Sequence, residues 1–207
     1  MQDIFISPLD KALVSWVDAF PKAKIAAIVN PKPNKAEKAT DTVFWLHMNE
    51  DRQGWLTNAI ALIQQKYSGA KIAVLANAPN QAEAFYCMSL GVVAYSHAYS
   101  PAKMLTEIKT VVTNGGVWLG QDFLKRLIEV STSLAGNQAE QVEQHLSALS
   151  KREKQVALEA AKGLSNKEIA RLLKITERTV KAHLSSIFER LAVKDRLHLA
   201  LILNKKS

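Results

Sequence analysis

Two serines, Ser150 and Ser165, each stand three residues ahead of a glutamate, Glu153 and Glu168. This spacing is a reciprocal helix cap. The serine oxygen accepts an amide proton of the first turn, and the carboxylate returns to the serine's own N–H. Gly163 lies between the two boxes, placed to close the first helix as a left-handed C-cap. Thr176 can cap a third helix with Glu177 in its first turn, and Asp195 a fourth. So many start and stop signals after Leu149 allow only short helices joined by tight turns.

The third of these helices has two distinct faces. At helical spacing Val180, Leu184, Ile187, Phe188 and Leu191 share an apolar arc, which is a core face. Arg178, Lys181, Ala182 and Ser185 fall on the opposite side. A helix turned only to solvent usually carries long polar side chains. Two cations flanked by small residues instead let a helix approach the floor of the DNA major groove, where Lys and Arg donate to guanine acceptors or phosphates.

Charge is divided accordingly. The chain carries 27 Lys and Arg against 19 Asp and Glu, and residues 147–207 hold 14 of the former and 6 of the latter. The rest of the chain balances, so the whole net charge of +8 sits in this segment. A small basic unit beside a neutral one predicts a polyanionic partner for the C-terminal part alone.

The runs Leu149-Ser-Lys-Arg-Glu153, Gly163-Leu-Ser-Asn-Lys-Glu-Ile-Ala170, Thr179-Val-Lys-Ala-His-Leu184 and Val193-Lys-Asp-Arg196 together resemble the LuxR/FixJ/NarL-type helix-turn-helix. The resemblance implies a DNA-binding transcription regulator in which Lys181, Ala182 and Ser185 face base edges. It implies backbone contacts from Asn166, Lys167, Arg178 and Thr179, with Thr176 beside them at the helix start. It also implies dimer contacts from the fourth helix, through Leu197 and Leu201. His183 has no second ligand beside it and reads as a structural or phosphate-facing residue.

The first 120 residues alternate differently. Apolar runs at 4–7, 24–29, 42–48, 71–76 and 92–95 are separated by amphipathic segments at 9–20, 52–67, 81–90 and 101–113. Continuous apolar strands between helices predict an α/β domain with a parallel sheet covered on both faces. Pro31 and Pro33 leave room only for a stunted helix after the second strand. A further helix is expected over 121–134, then a polar, Gln-rich linker. The expected organisation is a domain over 1–120, an extra helix and linker over 121–146, and the four-helix head over 147–207.

Five strand–helix units before such a head resemble the receiver domain of two-component response regulators, but the chemistry is missing. A receiver needs carboxylates after strand one, a phospho-accepting Asp ending strand three, a hydroxyl after strand four and a Lys after strand five. Acid clusters of that kind hold the divalent ion that neutralises a transferring phosphoryl group. This sequence offers Ser7-Pro8, Leu46-His47, Ala76-Asn77 and His97-Ala98 at those places. It reads as a phosphorylation-independent pseudo-receiver serving dimerisation or signal input.

The extra helix is similar to that of biofilm-matrix regulators of the curli and Vibrio polysaccharide type. Some of these bind cyclic di-GMP through a Trp-(Leu/Phe/Met)-(Thr/Ser)-Arg motif. Here the run is Trp118-Leu119-Gly120-Gln121, without the hydroxyl or the arginine whose fork and charge Gln cannot replace.

Apolar residues on the fifth and sixth helices exceed one core stripe, so Leu105 and Leu124 are expected at a homodimer contact. Two alternatives stand beside this reading: a cyclic-dinucleotide-responsive regulator, and a phosphotransfer-controlled one using Asp51 or His47. No metal cluster, cofactor loop or nucleophile–base pair is visible, which argues against an enzyme. Cys87 is alone, no membrane-length apolar run occurs, and the start lacks a secretion signal, so a cytoplasmic protein is expected. The remaining candidate partners are duplex DNA, a second copy, and a cyclic dinucleotide or a partner protein.

Overall fold

The computed structural model of the chain describes residues 2–9, 11–27, 42–48, 52–134 and 146–203. Five parallel strands form one sheet: β1 (Gln2–Ile6), β2 (Lys24–Ala26), β3 (Thr42–His47), β4 (Lys71–Ala76) and β5 (Ala94–His97). Their order is β2-β1-β3-β4-β5, with all pairings parallel. This is a doubly wound order, which opens a crevice at the carboxyl ends of the strands where the winding reverses. Every residue of β3 is buried, as expected for a central strand covered on both faces.

The helices are α1 (Val14–Ala19), α2 (Arg52–Lys66), α3 (Gln81–Ser89), α4 (Ala102–Thr113) and α5 (Gln121–Leu134). They are followed by α6 (Lys151–Ala161), α7 (Asn166–Leu173), α8 (Glu177–Arg190) and α9 (Arg196–Leu203). The α/β fold with a helical C-terminal part therefore matches the expectation. The stunted helix expected after β2 lies outside the described residues, as does most of the expected linker.

Several boundaries differ from the sequence reading. α1 begins only at Val14, because Leu13 is extended and no side chain caps the helix. β1 starts two residues early, since its ladder with β3 already pairs Gln2 with Thr42. β5 is displaced toward its carboxyl end, because pairing with β4 starts at Ala73↔Ala94.

The described chain divides into two compact units, Met1–Pro79 with Leu90–Gly120, and Asn80–Ser89 with Gln121–Ser207. In the first, Phe5, Trp16, Phe20, Val43, Trp45, Leu75, Leu105, Ile108 and Val112 form one core. Phe5 stacks on Trp16 at 4.7 Å and on Trp45 at 5.5 Å. Trp118 packs against this core, and its backbone forms an isolated bridge beside Ala94. In the second unit, Val156, Ala157, Ala160, Ile169, Val180, Leu184, Ile187 and Leu199 form the centre of a helical core.

Leu105 is fully buried. With Ile108 and Val112 it forms the core face of α4, so it cannot make a contact between copies, contrary to the expectation. Leu197 and Leu201 are also buried, 3% and 7% exposed, because α9 packs within its unit against α6, α3 and α5. The apolar surplus read on that helix is thus used internally. Leu124 is exposed, and Ile128 one turn on is exposed with it.

Candidate nucleic-acid interface

Both capping boxes form in full. Glu153 N donates to Ser150 Oγ at 3.3 Å while Ser150 N donates to Glu153 Oε2 at 2.9 Å. Around α7, Glu168 N reaches Ser165 Oγ at 3.3 Å and Ser165 N reaches Glu168 Oε2 at 2.7 Å. Thr176 accepts from Thr179 N at 3.1 Å, and Asp195 accepts from His198 N at 2.8 Å. Each helix start is thereby satisfied by a side chain one turn away.

The helix ends are equally defined. Leu164 N donates to Glu159 O at 3.3 Å and Gly163 N to Ala160 O at 2.9 Å, which is a Schellman turn with Gly163 at φ +88°. The same paired bonds close α7 at Lys174 and α8 at Ala192, although neither is glycine. Their φ values are 53° and 52°. Three sharp turns in so short a span fix the angles between α6, α7, α8 and α9.

These turns set α8 with one face inward. Val180, Leu184, Ile187 and the adjoining Leu191 are buried. Arg178, Lys181, Ala182 and Ser185 are exposed on the other side. Thr176 and Lys167 are exposed, and Thr179 and Asn166 half-buried. Among the described residues, Lys167, Arg178 and Lys181 have no hydrogen bond or ion pair. Nothing among the described residues competes for their donors.

A set of polar links behind this face was not read from the sequence. Ser186 on α8 donates to Glu153 Oε1 at 2.7 Å, and Arg190 Nε lies 3.6 Å from the same oxygen. Hydrogen bonds from Ser186 and then from Ser150, with Arg190 adding its charge, lower the Glu153 carboxyl to about 2. Glu153 thus caps α6 with one oxygen and holds α8 with the other. The hint in the sequence was Ser186 and Arg190, two polar residues one turn apart. Arg152 donates to Leu173 O at the end of α7.

At the carboxyl edge of the sheet, three side chains form a row, Ser7 and His47 at the places where a receiver carries its acids and Asn77 where it carries a hydroxyl. Ser7 Oγ lies 2.9 Å from His47 Nδ1, and His47 Nε2 lies 2.8 Å from Asn77 Oδ1. Leu9 N also donates to Ser7 Oγ at 3.1 Å. An amide oxygen only accepts, so Nε2 carries a proton; in the neutral ring Nδ1 then accepts from the Ser7 hydroxyl. Ser7 and His47 are 1% and 2% exposed. Trp16 sets its ring edge-on to His47 at 5.2 Å and donates its Nε1 to Ala98 O at 2.9 Å. Among the described residues no group of His, Cys, Asp and Glu is placed to hold a metal ion, and no helix is long and apolar enough to cross a membrane.

The profile of bacterial regulatory proteins of the luxR family matches residues 147–203, the segment that holds all of these caps and the exposed face of α8. Residues 147–203 belong to that family. An Escherichia coli (strain K12) protein named as the HTH-type transcriptional regulator YhjB is 48% identical over 62 residues, 30% of this chain and 31% of that one. The transcriptional regulatory protein YhcZ of Bacillus subtilis (strain 168) is 33% identical over 143 residues, 69% of this chain and 64% of that one. The chain thus spans less than two-thirds of the length of either relative. A solved complex of the two-component response regulator RcsB with DNA is 17% identical, with a TM-score of 0.53 over 100% of this chain and 99% of that one. That likeness shows the fold: a receiver-like sheet domain ahead of a helical head.

Proposed function

We propose that the protein is a sequence-specific DNA-binding transcription regulator, and not an enzyme, whose receiver-like domain works without phosphorylation. The observation that carries the first part is the exposed face of α8, with Lys181 and Arg178 unpaired among the described residues and Ala182 and Ser185 leaving room for a groove floor. Lys181, Ala182 and Ser185 face base edges. Asn166, Lys167, Thr176, Arg178 and Thr179 face the sugar-phosphate backbone.

The second part is supported by the Ser7–His47–Asn77 row. It fills the phosphorylation place with side chains that hydrogen-bond one another, Ser7 and His47 buried and Asn77 exposed. A second copy is the expected partner, through the exposed Leu124 and Ile128 of α5. A cyclic dinucleotide gains nothing from Trp118, whose ring packs on the core and whose run lacks arginine.

The test is selection of bound duplexes from a random library, with and without acetyl phosphate and Mg²⁺. Enrichment of one pseudo-palindromic site, identical in both arms and without a change in protein mass, is expected. A phosphoryl adduct that sharpens the selection would refute the phosphorylation-independent reading. Failure to enrich any sequence would refute specific recognition.

A further inference from the structure

The half-buried Arg196, first residue of α9, reaches back to the turn before α7. Its Nη1 donates to Leu164 O, and its Nη2 donates to Asn166 Oδ1 at 2.8 Å. A guanidinium has five donors and no acceptor. The atom that Asn166 turns toward Arg196 must therefore be its oxygen. Because the amide is planar, its NH₂ group then lies on the far side of Cγ, away from Arg196. Asn166 is thereby fixed as a donor. Phosphate oxygens only accept, so one amide orientation fits a DNA backbone contact and the flipped one opposes it.

We infer that Arg196 is a positioning residue for DNA binding: it locks the Asn166 side chain in the donor orientation that a backbone phosphate requires. This rests on the reading of Asn166 as a phosphate contact. Arg196 need not touch DNA for this, since its fork is occupied by Leu164 and Asn166. Without it the Asn166 amide has two orientations of similar energy, and a phosphate must select one of them.

The experiment is a double-mutant cycle on the full chain, titrated against a fluorescent duplex of about 30 base pairs taken from the selection above. Arg196→Gln removes the donor-only partner, and Asn166→Ala removes the side chain it orients. Each single variant should bind roughly 3- to 10-fold more weakly. Arg196→Gln should add little further loss in the Asn166→Ala background, beyond the effect of one missing charge.

Asn166→Asp is the control for folding. It keeps a partner for Arg196, so thermal stability should hold or rise, while affinity falls at least as far as in Asn166→Ala. Equal losses from Arg196→Gln in both backgrounds would overturn the inference. So would full affinity in Asn166→Asp. If Asn166→Ala binds normally while Lys181→Ala does not, the phosphate role of Asn166 fails and DNA binding survives. A wild-type chain that binds no duplex would remove the functional reading itself.

Discussion

Replacing Lys181 and Lys167 one at a time separates reading of sequence from grip on the backbone. Both side chains are exposed and unpaired among the described residues, so neither alanine variant should shift folding stability beyond about 0.5 kcal/mol. Any change in DNA binding is then a change at the interface. Lys181 sits on the exposed side of α8 beside Ala182, one position from the buried Val180. A base contact from it should contribute roughly 1–3 kcal/mol on the preferred site. At about 1.4 kcal/mol per tenfold, Lys181→Ala should bind that site about 5- to 150-fold more weakly, and discrimination against a scrambled duplex should shrink by a similar factor. Lys167, at the start of α7, should act on all duplexes alike. Its loss should make the slope of log K against log salt less steep by about 0.9, the release of one counterion. Fluorescence anisotropy on the selected and scrambled duplexes, between about 50 and 200 mM salt, measures both quantities. If Lys181→Ala weakens the two duplexes equally, the face of α8 assigned to bases is wrong.

Three further outcomes follow from the geometry. Ala192 is exposed and holds φ 52°, a left-handed conformation that costs an L-residue roughly 1–2 kcal/mol. Ala192→Gly should relieve this, less about 0.5–1 kcal/mol of added chain entropy, so denaturant titration should show a gain of up to about 1.5 kcal/mol. Glu153, ordinarily 4.5, is lowered to about 2 in the fold. Its contribution is therefore complete above pH 4.5 and fades as pH falls through about 2; Glu153→Gln should remove that part of the acid transition, read by circular dichroism. Leu124→Glu should shift the full chain toward monomer in sedimentation without lowering its melting temperature, because Leu124 is 48% exposed.

Local chemistry was the most legible part of the sequence. Caps join a side chain to its own helix three residues away, so Ser150–Glu153, Ser165–Glu168 and Thr176 could be read from spacing alone. The central strands were legible because a strand covered on both faces is apolar throughout, as Val43 to Leu46 are. The exposed side of α8 followed from helical period. Long-range choices were not legible. Met104 and Leu105 are adjacent apolar residues, and only the sheet's position decides that Leu105 is buried while Met104 is 38% exposed. Leu197 and Leu201 looked surplus because the helices packed on α9 come from distant parts of the chain. Links such as Glu153 to Ser186 and Arg196 to Asn166 join residues roughly thirty positions apart, and no periodicity announces them.

The Ser7–His47–Asn77 row at the sheet edge bears on how such a regulator is switched. A phosphorylated carboxylate works as a switch because it adds charge where a metal and a cation can respond, and the ordered loops follow. Here Ser7 donates to His47, His47 donates to Asn77, and the Leu9 amide completes the chain. Both ring nitrogens of His47 have a partner, and Trp16 sets its ring edge-on to it. Placing a carboxylate at position 47 would break both hydrogen bonds of the ring and bury a charge, which burial would oppose by favouring the protonated acid. On the proposed reading, restoring one acid would therefore not restore a switch. On that reading the edge serves packing, and the receiver-like domain acts through its surface. Input through this domain, on the proposed reading, has to come as binding at exposed side chains, and the amount bound follows concentration instead of covalent state.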